Sequence, residues 1–334
     1  MKTQVFITID TEFSIGGAFQ EPDALEPIGA QNVLCDVAGR SEGLGFMLDT
    51  FARHGQRATF FVETLQTAYF GDAPMAGLAQ RVAAQGHDVQ LHLHPVWTYF
   101  DHPQWRQQLS VVRPNDRMHG QELSRLASLI GRGQNALQRW GLPAPVALRT
   151  GNLMVDRNVY RAMATCGLTV ASNIACAVFE PAEAALRLAS GVHLIEGVTE
   201  LPVLTYSDLT LAGRVHQKAL TVTGSSLAEA VTLLDQAHAC AEPAVVLLTH
   251  CHEFVKGDMR GALRPDRVNQ RRLAGLCEHL ARHADRFEVS TFRQVTCADP
   301  ARWRVPAVKP MLRVPPHLAV LRLAQNKLNE LNWL

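Results

Sequence analysis

The chain has 334 residues, 47% of them apolar, and 32 basic residues stand against 31 acidic ones for a formal net charge of +1. That size and composition support one large α/β domain with a substantial core. The balanced charge gives no ground for a nucleic-acid or anionic-membrane partner, and no apolar run reaches the roughly 20 residues of a transmembrane helix. Seven scattered cysteines without a Cys-x-x-Cys pair fit a reducing compartment better than a disulfide framework. The opening MKTQVFITID has no long apolar stretch leading to a small-residue cleavage site, so the expected location is cytoplasmic.

Val5, Phe6, Ile7 and Ile9 predict a buried strand that ends at the acids Asp10 and Glu12. Residues 13–40, with Gly16, Gly17, Pro22 and Pro27, predict a long loop with one helical turn. Leu44, Met47, Leu48 and Phe51 recur at helical spacing and predict a helix over 41–54, stopped by Gly55. A strand at 58–63 and a helix at 75–85 follow. The stretch 86–97, GHDVQLHLHPVW, alternates Val89, Leu91 and Leu93 with Gln90, His92 and His94 until Pro95, which is the pattern of a strand. Residues 98–120 predict a second long loop. Then come a helix at 122–140, a strand at 143–148 leading to Arg149, a helix at 156–166 capped by Asp156, and a strand at 168–172. An irregular stretch at 174–198 precedes a strand at 200–203. A helix at 226–239, an apolar strand at 244–249 ending at His250, a helix at 266–283 and a strand at 287–291 complete residues 1–300, read as one domain. The tail, 301–334, ends in an amphipathic stretch with Leu321, Leu328 and Leu331 in helical register, read as a helix docked on the body.

Alternating strands and helices imply a parallel sheet with helical crossovers, either a barrel or a doubly wound sheet. Asp10, Glu12, His92, His94, Arg149, Glu200 and His250 all fall at strand C-termini, which converge on one rim in such folds. His92 and His94 share a face because strand residues two apart do. Two imidazoles on a rigid edge begin a divalent-metal site, and Asp10-Thr11-Glu12 is the obvious source of a carboxylate ligand. Each residue has a plainer reading. An acid at a strand end often caps a helix, Arg149 can be a structural ion pair, and His252 can lie on the surface instead of assisting His250. Trp97 and the aromatics after it can stack on a sugar or merely fill a packing gap. Cys251 has no mark of a reactive thiol.

In this order the motifs ITIDTE, HGQRATFFVE, GHDVQLHLHP, LRTGN and VVLLTH resemble the polysaccharide deacetylases, the NodB-homology carbohydrate esterases, over roughly residues 3–297. The family pattern has two adjacent Asp and two His four apart; this chain has Asp-x-Glu and two His only two apart. The resemblance implies a distorted (β/α) barrel, often seven-stranded, that removes acetyl groups from N-acetylated sugars with zinc, or with cobalt or nickel. It implies Asp10 as general base, Glu12, His92 and His94 as metal ligands, Arg149 as the group orienting the base, and His250 as the acid for the leaving amine. Which of Asp10 and Glu12 ligates the metal stays open. Trp97, Asn152 and His252 are candidates for substrate contact. The expected partner is an acylated sugar or glycan precursor. The alternatives are hydrolysis of another C–N or glycosidic bond, or a binding protein without turnover; the latter has no use for a general acid such as His250.

Overall fold

The computed structural model describes residues 2–211, 213–295 and 311–331. Cys297, the boundary expected at residue 300 and the start of the tail at 301–310 lie outside the described residues. The first half of the chain alternates β1 (Thr3–Thr11), α1 (Leu44–Arg53), β2 (Thr59–Glu63), α2 (Ala73–Ala84) and β3 (Asp88–Leu93). It continues through α3 (Leu123–Arg139), β4 (Ala147–Thr150), α4 (Arg157–Thr165) and β5 (Val170–Ala171). After β6 (His193–Ile195) and β7 (Val198–Glu200) comes a hairpin of β8 (Thr205–Leu211) and β9 (Arg214–Ala219). The C-terminal part holds α5 (Leu227–Ala239), β10 (Ala244–His250), α6 (Arg267–Arg282), β11 (Phe287–Val289) and α7 (Pro316–Glu330).

β1 is buried along its whole length, and its period of two sorts its side chains. Val5, Ile7 and Ile9 join Leu44, Met47 and Phe51 of α1 in the layer between sheet and helices. Phe6 faces the other way, into the barrel, with Phe61, Val246, Leu248 and Phe292. The strand order is β10-β1-β2-β3-β4-β5-β7-β6, parallel except for the β6–β7 pair, with β11 also paired to β1. Beyond β7 the chain reaches back to β10. Val203 bridges Val246 and Thr221 bridges Leu248, both parallel, which curls the sheet onto itself. The fold is the distorted (β/α) barrel that the resemblance implied, one of the two architectures the alternation left open.

Two differences from the sequence reading have physical causes. The strand expected at 143–148 runs Ala147–Thr150 instead, because Pro143 and Pro145 lack the amide hydrogens a central ladder needs. The hairpin β8–β9 has no apolar signal: β9 reads RVHQKA and is largely exposed.

α7 does dock, but not through leucines. Leu321 and Leu331 are exposed, and the inward stripe is Ala319, Arg322 and Asn329. Arg322, 5% exposed, donates to Asp208 at 2.5 Å and to Glu229 at 3.0 Å, both fully buried carboxylates. Arg272 reaches Gln325 and Asn326 at 2.6 Å each. Asn329 binds Asp266, the N-cap of α6. Removing one partner of a buried ion cluster strands the others. Arg322→Ala therefore destabilises the fold by about 3–5 kcal/mol in urea unfolding, whereas Leu321→Ala changes it by less than about 0.5 kcal/mol.

Candidate metal centre and acid–base rim

Register builds the site. Asp10 on β1 lies level with His250 on β10 and with Phe61 on β2. His92 on β3 lies level with Glu63 on β2 and Arg149 on β4. Five strands thus present their polar C-terminal residues in two adjacent rows, Asp10 and His250 two residues below Glu63, His92 and Arg149.

Glu12, His92 and His94 form a group whose ligand atoms all lie within 4.8 Å of one another. Glu12 Oε2 is 3.3 Å from His92 Nε2 and 2.9 Å from His94 Nε2. The far side of each ring is fixed. His92 Nδ1 donates to the Arg149 carbonyl at 2.9 Å, and His94 Nδ1 lies 2.7 Å from Asp116 Oδ2. Those bonds turn both Nε2 atoms toward Glu12, as in metal sites where a second group holds the imidazole. The donor set of two imidazoles and a carboxylate fits zinc, cobalt or nickel. Burial raises the Glu12 carboxyl, but the His94 and His92 rings outweigh it and hold the group well below its usual range. Burial likewise opposes a charge on His94, yet Glu12 and Asp116 hold it well above the ordinary imidazole value. A cation entering the group would displace that proton.

Several positioning groups carried no role in the sequence reading. Glu63, fully buried, accepts from the amides of Leu65 (2.5 Å) and His94. Burial pushes it up to about 7. It stands at the polar end of an apolar strand, the same signal that marked Asp10. Glu253, three residues after His250, was also within reach of sequence inspection. Asp116 was not, because it comes from the long loop after β3. Gly151 matters by what it lacks: a Cβ there would lie 2.4 Å from His94 Nδ1.

Arg149 is completely buried beneath the rim. It donates to Asp10 Oδ1 and Thr8 Oγ1 at 2.8 Å each, and to the Ser172 hydroxyl and carbonyl at 2.8 and 3.1 Å. The Phe61 ring lies 4.3 Å from its guanidinium. Asp10 is 5% exposed, and its Oδ2 faces His92 Nε2 at 4.0 Å and His250 Nε2 at 3.9 Å. Glu200 is fully buried. It accepts from Tyr160 and from the amides of Asn173 and Ile174, tying β7 to the loop after β5.

His250 Nδ1 is 3.1 Å from Glu253 Oε1, and its Nε2 points toward Asp10 and Glu12. Burial opposes charge on both members of the pair. Their hydrogen bond and mutual attraction win, pushing His250 up to about 9 and Glu253 down to about 2. His252 stacks beside His250, ring centroids 5.2 Å apart, and is lowered by burial and by its neighbour's charge. Burial raises the Cys251 thiol well above its ordinary value, which keeps it protonated.

A cleft of about 400 Å³ opens beside the group, lined by residues including Glu12, Asn32, His94, Trp97, Asp116 and His252. Trp97 borders it but is 2% exposed and packs against Phe70 and Phe100. Asn152, with φ of 55°, donates to Asp116 at 2.7 Å. The structure thus brings Asp10, Glu12, His92, His94, Arg149 and His250 together, with His252 beside them and Asn152 one residue removed.

No family model matches the chain, and no curated protein matches it in sequence. Solved structures do. A Mycobacterium smegmatis protein assigned as a polysaccharide deacetylase superposes with a TM-score of 0.53 at 17% identity, over 93% of this chain and 96% of that one. A family 4 carbohydrate esterase from Streptomyces lividans, in complex with acetate, gives 0.44 at 14% identity, over 92% and 98%. The chain therefore shares the fold of that Mycobacterium smegmatis protein.

Two consequences are measurable. Asp116→Ala and Gly151→Ala should each weaken zinc binding by about 10–100-fold in competition titrations, since both loosen His94. Glu253→Gln should lower the His250 pKa from about 9 in NMR titration of the metal-free protein. The raised His250 contributes stability in full below its ordinary 6.5 and loses it as pH rises through about 9. The depressed Glu253 contributes in full above its ordinary 4.5 and loses it as pH falls through about 2. The melting-temperature gap between wild type and Glu253→Gln should therefore be widest between pH 4.5 and 6.5.

Proposed function

We propose that the protein is a metal-dependent hydrolase that removes an acetyl or other acyl group from an N-acylated sugar or glycan precursor. The observation that carries this reading is the rim itself. A Glu12–His92–His94 group stands beside an acid held by Arg149 and an imidazole held by Glu253.

Glu12, His92 and His94 would hold the cation. Bound there, it would supply Lewis acidity, stabilising charge on the acyl oxygen and easing deprotonation of the attacking water. Asp10 acts as the base. Its Oδ1 is occupied by Arg149, so Oδ2 is the oxygen left to take the proton of the water. Arg149 keeps that carboxylate oriented and favours its charged form. This division makes Glu12 the ligand and Asp10 the base, because Glu12 makes the closer approach to both Nε2 atoms.

His250 acts as the acid. Glu253 keeps its ring charged, and its Nε2 reaches toward the same space as Asp10 Oδ2. A protonated His250 can pass its proton to the departing nitrogen, which leaves poorly as an anion. His252 lines the cleft the sugar would enter, and Asn152 holds Asp116 at its wall.

Two measurements test the reading. Elemental analysis should find near-stoichiometric zinc, cobalt or nickel in wild type and none in His92→Ala/His94→Ala. Asp10→Asn should keep the metal yet lose about 10²–10⁴ in kcat on an N-acetylated chitooligosaccharide. Turnover at the wild-type rate would reject Asp10 as base, and a metal-free wild type after reconstitution would reject the reading. His250→Ala should cost more on that amide than on p-nitrophenyl acetate, whose leaving group needs no proton.

A further inference from the structure

The chain carries a second cavity that shares a wall with the metal cleft. It has a volume of about 450 Å³ and is lined by residues including Thr98, Asp101, His102, Arg113, Gln121 and Arg125. Both cavities are bordered by Val96. Asn115 lines one and the next residue, Asp116, lines the other. Asp116 also accepts from the Val96 amide at 3.3 Å, so the junction is tied to the residue that holds His94. Thr98 lies only four residues beyond His94, in the 3-10 turn Pro95–Asp101.

The walls are fixed, and their charge is one-sided. Tyr99 donates to the Val112 carbonyl at 3.1 Å, and Tyr99, Phe100 and Trp105 are buried. Asp101 is neutralised by a two-pronged bond to Arg132 at 2.5 and 2.7 Å. Asp116 is engaged by His94 and Asn152. Arg125 makes one bond, to the neutral Thr98 hydroxyl at 3.1 Å, and Arg113 has no ion-pair partner among the described residues. Two guanidinium groups with unspent donors therefore face one groove that borders the metal cleft at Val96. Guanidinium donors match the oxygens of a phosphate in geometry as well as charge.

We infer that this groove binds a phosphate group of the substrate, so that the acylated sugar is phosphate-bearing and not a neutral polymer. The inference rests on the proposed deacylase reading and names the substrate class for that site. The acyl group would enter the cleft at Glu12 and His94, and the phosphate would lie past Val96 against Arg113 and Arg125.

Calorimetry on the zinc-loaded full chain tests it, and needs no turnover. The probes are N-acetylglucosamine 1-phosphate and N-acetylglucosamine, each titrated into wild type and Arg113→Ala/Arg125→Ala. Both arginines are exposed, so the variant should fold, with an unchanged melting temperature. The sugar phosphate should bind wild type about tenfold or more tighter than the neutral sugar. That preference should shrink to near unity in the double variant and at high salt. UDP-N-acetylglucosamine and a prenyl-phosphate sugar in vesicles share the phosphate, and tighter binding of either would support the groove and name its source. Equal binding of the two sugars by wild type, or a preference untouched by the double substitution, would overturn the inference. A wild type that binds zinc and the sugar phosphate but hydrolyses nothing would leave the groove standing and sink the deacylase reading instead.

Discussion

The buried Arg149–Asp10 pair is the constraint on which the site depends. A guanidinium with no solvent exposure is costly unless every direction is satisfied. Here Thr8, Asp10, Ser172 and the Phe61 face satisfy it from two strands, β1 and β2, and the loop after β5. The same contacts fix where Asp10 points. Charge burial, a liability for stability, thus fixes the orientation of an acid whose free oxygen faces both His92 and His250.

A second layer of carboxylates does for the imidazoles what Arg149 does for Asp10. Asp116 takes His94 and Glu253 takes His250, while Glu63 takes the His94 backbone and leaves its ring free. Each imidazole is therefore held by the nitrogen that does not face the centre. This arrangement also accounts for the short His-x-His spacing. Both rings leave the same edge of β3, and Gly151 gives the second ring the room it needs on the neighbouring turn.

Much of the fold was legible because buried parallel strands leave strong local marks. The run Val5–Ile9, the apolar 244–249 stretch and the helix with Asp156 as its cap all lie where their residues placed them. Boundaries failed where proline acted on the ladder, as before Ala147. Elements failed where burial left no apolar trace, as in the hairpin β8–β9. The C-terminal helix was found, but its docked face was misread. Leucine periodicity suggested an apolar seam, whereas the helix is seated by Arg322 and Asn329 on carboxylates that no local pattern points to.

The sequence by itself determined that the strands alternate with helices and that polar residues close the strands. It also determined that His92 and His94 share a face, because strand geometry is local. Only the tertiary structure decided which of those polar residues meet. Register brought His250, 240 positions away in the chain, level with Asp10. Loop packing delivered Asp116 to His94 and placed Arg113 and Arg125 on the groove beside it. It also closed Trp97 into the core, leaving only its edge on the cleft. Those choices depend on how strands are ordered and loops seated across long sequence separations, and no local periodicity records them.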